Sequence, residues 1–123
     1  MTDKKGEPAT TAGATVVVVN AETMGRGDEG LGVKLLGNFL RTLVAVEPKP
    51  DAIVFYNAAV KLLGPSSPSL EALQALDAAG VDLLACVTCL EFYSLTERLA
   101  VGHVSNMREI VQRTMAAAKV VTV

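Results

Sequence analysis

Two cysteines sit three residues apart in "CVTC", residues 86–89, and the chain has no others. Such thiols can form a disulfide, ligate a metal, exchange disulfides or carry sulfur. A structural zinc site needs about four nitrogen or sulfur ligands. Cys86, Cys89 and the single histidine, His103, cannot complete one within a subunit. A thioredoxin-type pair fits locally, because C-x-x-C here follows an apolar run and precedes a helical stretch. In thioredoxin-like proteins, however, the pair lies near the first βαβ unit and faces a proline from a later strand. Here it follows the third apolar run, and no proline occurs after Cys89. Disulfide exchange is therefore the second choice.

The first choice is a nucleophilic thiol that accepts sulfur. Cys86 falls where a buried strand should emerge, with amides of the following turn pointing toward it. Their partial positive charge would favour thiolate, the nucleophilic form. A persulfide is also an anion, so the same amides would hold the loaded state. Cys89, one turn on, would resolve the persulfide, receive the sulfur or stand inert. The competing explanation is that both are small core residues, since free cysteine is often buried.

A second stretch with chemical content is "GRGDEG", residues 25–30, which matches G-x-G-x-x-G between a strand and a helix. That is the context of a dinucleotide site. Three details oppose it: Gly25 lies five residues past Asn20, Asp28 and Glu29 would repel a pyrophosphate, and the second strand ends in Asn57 rather than an acid. The loop reads as one needing unusual backbone angles, with an acidic helix start. Its free amides would bind a small anion or frame a thiol pocket. The candidate pocket residues are Gly25, Arg26, Gly27, Asp28, Asn57 and Thr88, around Cys86 and Cys89. His103 reads as a surface or turn residue, and Phe92 and Tyr93 as pocket wall or packing. No Ser-His-Asp set and no paired acids announce other catalysis.

The elements that must position these residues follow from periodicity. "TVVVVN" is a β-branched run suited to a strand buried on both faces. Gly32, Leu35, Leu36, Phe39, Leu40 and Leu43 recur at helical spacing, and "EPKP" stops that helix. "AIVFYN" reads as a second strand and "AAVKLLG" as a short helix. Ser67 as cap and Pro68 at the first position open another helix, with Leu70, Leu73 and Leu76 buried and Gly80 at its end. "VDLLA" is the third strand, followed by a short helix near "EFYSLTERL" and an extended piece near "VGHV". Ser105 or Asn106 caps a last helix with the stripe Met107, Ile110, Val111, Thr114 and Met115, and "KVVTV" closes as a strand. Apolar strands alternating with helices imply a mainly parallel sheet with helices on both faces. In such sheets ligands collect beyond the carboxyl ends of the strands. The glycine loop, Asn57 and CVTC all leave those ends.

The chain has 123 residues, half of them hydrophobic and 20% charged, which suits one domain with one core. Residues 1–14 read as a flexible tail and 15–123 as the domain. A formal charge of −2 gives no field to attract nucleic acid or an anionic membrane. No apolar run approaches the roughly 18 residues of a membrane span, and the polar start lacks the apolar middle of a secretory signal. The expectation is a cytoplasmic protein, where cysteines stay reduced unless chemistry uses them.

"MGRGDEGLG", "NAAVKLL", "CVTCLEFY" and "VGHVSNM", in this order, resemble the DsrE/DsrF-like sulfur-relay family. More narrowly they are similar to the C-terminal domain of YedF-type proteins, sulfurtransferase-like proteins associated with selenium metabolism. The resemblance implies a three-layer α/β/α fold with a mainly parallel sheet of about five strands, and assembly into homo-oligomers. It implies that a cysteine at the end of the third strand, here Cys86, carries persulfide sulfur between a protein donor and a protein acceptor. Cys89 matches the second cysteine of the YedF-type pattern. No metal or organic cofactor is implied. Val87 stands where the family has glycine, and Asn57-Ala58-Ala59 where it has Asn-Ser-Gly. The small sulfur-carrier domain of longer YedF-type chains is absent from the sequence, so the donor or acceptor would be a separate chain.

Overall fold

The computed structural model describes residues 13–123. The tail expected over residues 1–14 therefore lies outside the described residues, apart from Gly13 and Ala14. Ala14 is buried, and its carbonyl accepts from the amides of Ala118 and Lys119.

Five strands form one sheet: β1 (Thr15–Val19), β2 (Ala52–Phe55), β3 (Asp82–Cys86), β4 (His103–Ser105) and β5 (Lys119–Thr122). Their order is β4-β3-β2-β1-β5 and every pairing is parallel. Four helices connect them: α1 (Glu29–Ala45), α2 (Leu70–Ala78), α3 (Val87–Phe92) and α4 (Met107–Ala116), with a 3₁₀ helix at Asn57–Leu63. The chain winds outward from β1 through β2 and β3 to β4, then crosses back to β5 on the other side of β1. Crossovers between parallel strands are right-handed. Reversing the direction of travel therefore moves the crossover helix to the opposite face. This is the three-layer α/β/α architecture the alternating pattern predicts.

Strand alternation divides the core accordingly. Val17, Val19, Ile53, Phe55, Leu83 and Ala85 face Leu36 and Leu40 of α1, Leu73 and Leu76 of α2, and Val60 and Leu63 of the 3₁₀ helix. Val16, Val18, Ala52, Val54, Leu84 and Cys86 face the other way, toward Ile110 of α4. Because both faces are covered, β1 and β2 read as unbroken apolar runs rather than alternating ones.

Three local details differ from the sequence reading. The cap of α2 is Ser69, while Ser67 accepts the Ser69 amide at 3.0 Å through its hydroxyl and so closes the preceding turn. The short helix expected from "EFYSLTERL" starts four residues earlier, at Val87, so that Val87, Thr88 and Cys89 are its first turn. Val87 has no positive φ, and a β-branched residue is accommodated where the family has glycine. On α4 only Ile110 of the expected stripe is buried; Met107, Val111 and Met115 are exposed. A polar clasp shares the contact of α4 with the sheet. Arg113 reaches Asp82 at the start of β3, at 3.0 Å, so Ile110 and Arg113 face the sheet while Val111 and Met115 turn away.

Candidate functional site

The loop after β1, the 3₁₀ helix after β2 and α3 after β3 do converge at the carboxyl edge of the sheet. Lys61 of the 3₁₀ helix ties them, since its Nζ lies 3.3 Å from Glu22 of the loop and 4.8 Å from the ring centroid of Tyr93 at the end of α3. Phe92 stacks edge-on against Tyr93 and is otherwise exposed. The winding of the sheet reverses between β1 and β5, whereas the cysteines lie two strands away, on β3 and α3.

Cys86 is the last residue of β3 and occupies the cap position of α3. It is only 2% exposed, among Val18, Val54, Leu84 and Ile110. Among the described residues no backbone amide donates to its sulfur. The expectation that amides would converge on Cys86 is thus not met, because a strand that buries this face carries its side chain under α4 before the turn begins. Cys89 receives what was expected of Cys86. It is half-buried, packs against the clusters on both sides of the sheet, and its Sγ accepts the backbone N–H of Asn57 at 3.0 Å.

Asn57 can donate there because of its own conformation. Its φ is +55°, in the left-handed region that asparagine tolerates better than most residues. As the first residue of the 3₁₀ helix it has an amide with no partner inside that helix. The turn out of β2 directs this orphan donor at the sulfur. Asn57 is among the pocket residues the sequence singles out, and its contact is made by its backbone, which residue type alone does not reveal.

Burial pushes the Cys89 thiol above its ordinary range; the Asn57 amide works against that rise, and the neighbouring Cys86 thiol adds to it. The resting Cys89 therefore holds a protonated thiol at neutral pH. Its small thiolate fraction is the more nucleophilic for its higher basicity.

The other candidate residues take structural or peripheral places. Asp28 caps α1, with Oδ2 accepting the Leu31 amide at 2.9 Å. Gly25 and Gly27 have φ of +81° and +137°, and both, with Arg26, are exposed. The loop folds back on α1 through a hydrogen bond from the Met24 amide to the Gly32 carbonyl, 3.0 Å. A Cβ on Gly32 would meet Thr23 Cβ at 2.7 Å, so glycine is required there by close approach. No hydrogen bond among the described residues joins 25–28 to either sulfur. Thr88 is exposed on the first turn of α3, beside both cysteines in sequence. His103 is exposed, and its Nε2 lies 2.8 Å from Asp82 Oδ1, at the opposite end of β3 from Cys86. The Asp82–Arg113–His103 cluster was not anticipated; the only sequence signal was an acid directly after the first residue of an apolar strand.

The profile of the DsrE/DsrF-like family matches residues 14–123. None of the curated proteins compared with the chain matches it. Among solved structures, the ychN protein from E. coli is similar with a TM-score of 0.69 at 20% identity, covering 90% of this chain and 99% of its own. MTH1491, a protein of unknown function from Methanobacterium thermoautotrophicum, has a TM-score of 0.62 at 23% identity, covering 87% and 98%. At these identities the two structures speak for the fold. Among the described residues no helix is long and apolar enough to cross a membrane.

Proposed function

Because the chain belongs to the DsrE/DsrF-like family, whose members point to sulfur-relay or sulfurtransferase-like roles, we propose that it carries a sulfur atom as a persulfide on Cys89. The single observation behind this choice of residue is the 3.0 Å hydrogen bond from the Asn57 amide to Cys89 Sγ, on a half-open thiol. Loading begins when the Cys89 thiolate attacks the outer sulfur of a donor persulfide. The donor's S–S bond breaks and its thiolate departs with the electron pair. Delivery reverses the roles: an acceptor thiolate attacks the outer sulfur on Cys89, and Cys89 leaves as a thiolate. The Asn57 amide stabilises that leaving group through a hydrogen bond to an anion, which is stronger than one to a neutral thiol. Donor and acceptor are proteins in this proposal, working with copies of the chain assembled in the cytoplasm. A selenium donor would load the same atom.

Incubating the folded protein with glutathione persulfide, followed by peptide mass mapping, tests the proposal. One added sulfur on the peptide bearing Cys89 is the expected result. A folded protein with titratable thiols that gains no sulfur overturns it, and a binding module with incidental cysteines then stands. Disulfide exchange is the second reading, favoured by the packing of Cys89 against the cluster that contains Cys86. It predicts a reversible Cys86–Cys89 disulfide that equilibrates with a thiol–disulfide buffer.

A further inference from the structure

Cys86 has no task in that relay, yet it belongs to the buried cluster against which the thiol that performs it is packed. We propose that Cys86 resolves the loaded site: it attacks the inner sulfur of the Cys89 persulfide and releases the carried atom as sulfide. The inference rests on the carrier reading of Cys89 and adds a second reaction to it, a persulfide reductase half-reaction.

The placement follows from the strand–helix junction. Cys86 closes β3 and Cys89 lies in the first turn of α3, three residues on. As the cap and the third residue of α3, the two occupy the positions whose side chains face each other in a capping box, and a disulfide between them requires Cβ atoms about 3.5–4.5 Å apart. Cys89 packs against the cluster in which Cys86 is buried, and the Cys86 thiol is near enough to push the Cys89 thiol upward.

Burial selects which sulfur is attacked. Cys86 is enclosed by Val18, Val54, Leu84 and Ile110 and approaches from the core. It meets Sγ of Cys89, while the outer sulfur projects to the half-open side where a partner can reach it. In the step, a bond forms between the Cys86 sulfur and Cys89 Sγ, and the bond from Sγ to the outer sulfur breaks. The outer sulfur leaves with the electron pair and takes up the Cys86 proton as hydrosulfide. The two cysteine sulfurs are oxidised together by two electrons, and the carried sulfur is reduced by two. A thiol reductant of the glutathione or dithiol class regenerates the dithiol. Transfer to an acceptor and release as sulfide then compete for one loaded state. Burial of Cys86 also means that an external persulfide reaches Cys89 first.

The test uses the full chain loaded with glutathione persulfide, freed of excess reagent by gel filtration, then followed by intact mass and sulfide assay. In the wild type the added sulfur should disappear as one sulfide per chain is released, leaving a Cys86–Cys89 disulfide on peptide mapping. Cys86→Ala, its fold checked by circular dichroism, should keep the sulfur on Cys89 at least about tenfold longer and release no sulfide, because the only neighbouring attacking thiol is gone. The stoichiometry and disulfide map in the wild type need no variant. Equal persistence in wild type and Cys86→Ala overturns the inference, as does migration of the sulfur to Cys86. Absence of sulfur on either protein immediately after loading refutes the carrier reading itself, and the release step with it.

Discussion

At the scale of residues, the site depends on one backbone amide and one sulfur. Asn57 holds its amide toward Cys89 through a φ of +55°. Glycine adopts that region freely, whereas a β-branched residue there costs about 1–2 kcal/mol. Asn57→Gly should therefore leave both stability and Cys89 reactivity close to wild type. Asn57→Val should lower the unfolding free energy by about that amount and shift Cys89 alkylation to higher pH as the amide swings away; urea titration and iodoacetamide rates measure the two effects. In the wild type, burial raises the Cys89 thiol above its ordinary value. Alkylation should therefore stay slow at neutral pH and keep rising beyond pH ~8.5, where an unperturbed thiol is half-ionised. A plateau reached well below that pH would contradict the geometry. Residue types were enough to single out Cys86, Cys89 and Asn57 as neighbours, because all three follow apolar runs that had to be parallel strands. They could not rank the two cysteines, since that depends on which face of β3 Cys86 takes as the strand's last residue and on α3 beginning at Val87.

At the scale of elements, most strands and helices were legible because parallel strands buried on both faces leave long apolar runs, and α1 and α2 carry a helical apolar period. The start of α3 was not, because "CVTC" has no helical pattern of its own and its first turn is fixed by Leu90 packing into the core. The stripe of α4 misled for a related reason. Its contact with the sheet is one isoleucine and a polar clasp rather than a full apolar face. In that clasp, burial raises the pKa of Asp82, but hydrogen bonds and charge from Arg113 and His103 outweigh it, and the carboxyl titrates below its ordinary value. A depressed acid contributes stability that is present above its unfolded pKa of about 4 and is lost as pH falls through the folded value. Asp82→Asn should therefore lower stability at neutral pH and flatten its decline in acid, below about pH 4. Arg113→Ala should cost about 1–3 kcal/mol, because it leaves a half-buried carboxylate short of a partner. Denaturant melts from pH 7 down to pH 3 check both.

At the scale of the whole molecule, winding order places the cysteines at the carboxyl edge, with α1 and α2 on one face and α4 on the other. Composition and alternation made this architecture readable, since no other layering covers five parallel strands of this polarity. Self-association was read from family resemblance, and the surface bears on it. Met107, Val111 and Met115 on α4 and Leu31, Val33 and Leu35 on α1 leave apolar side chains exposed on both outer layers. Sedimentation velocity should give a mass that is a multiple of 12.8 kDa. A monomer at high micromolar concentration would remove oligomerisation from the proposal and leave the site intact.

The most direct test of the central claim is the position of the transferred sulfur. Wild type, Cys86→Ala and Cys89→Ser are each exposed to glutathione persulfide and mapped by peptide mass spectrometry within the first moments of loading. Sulfur carried by Cys89 in wild type and Cys86→Ala, and lost in Cys89→Ser, is the predicted result. Full loading of Cys89→Ser on Cys86 would contradict it.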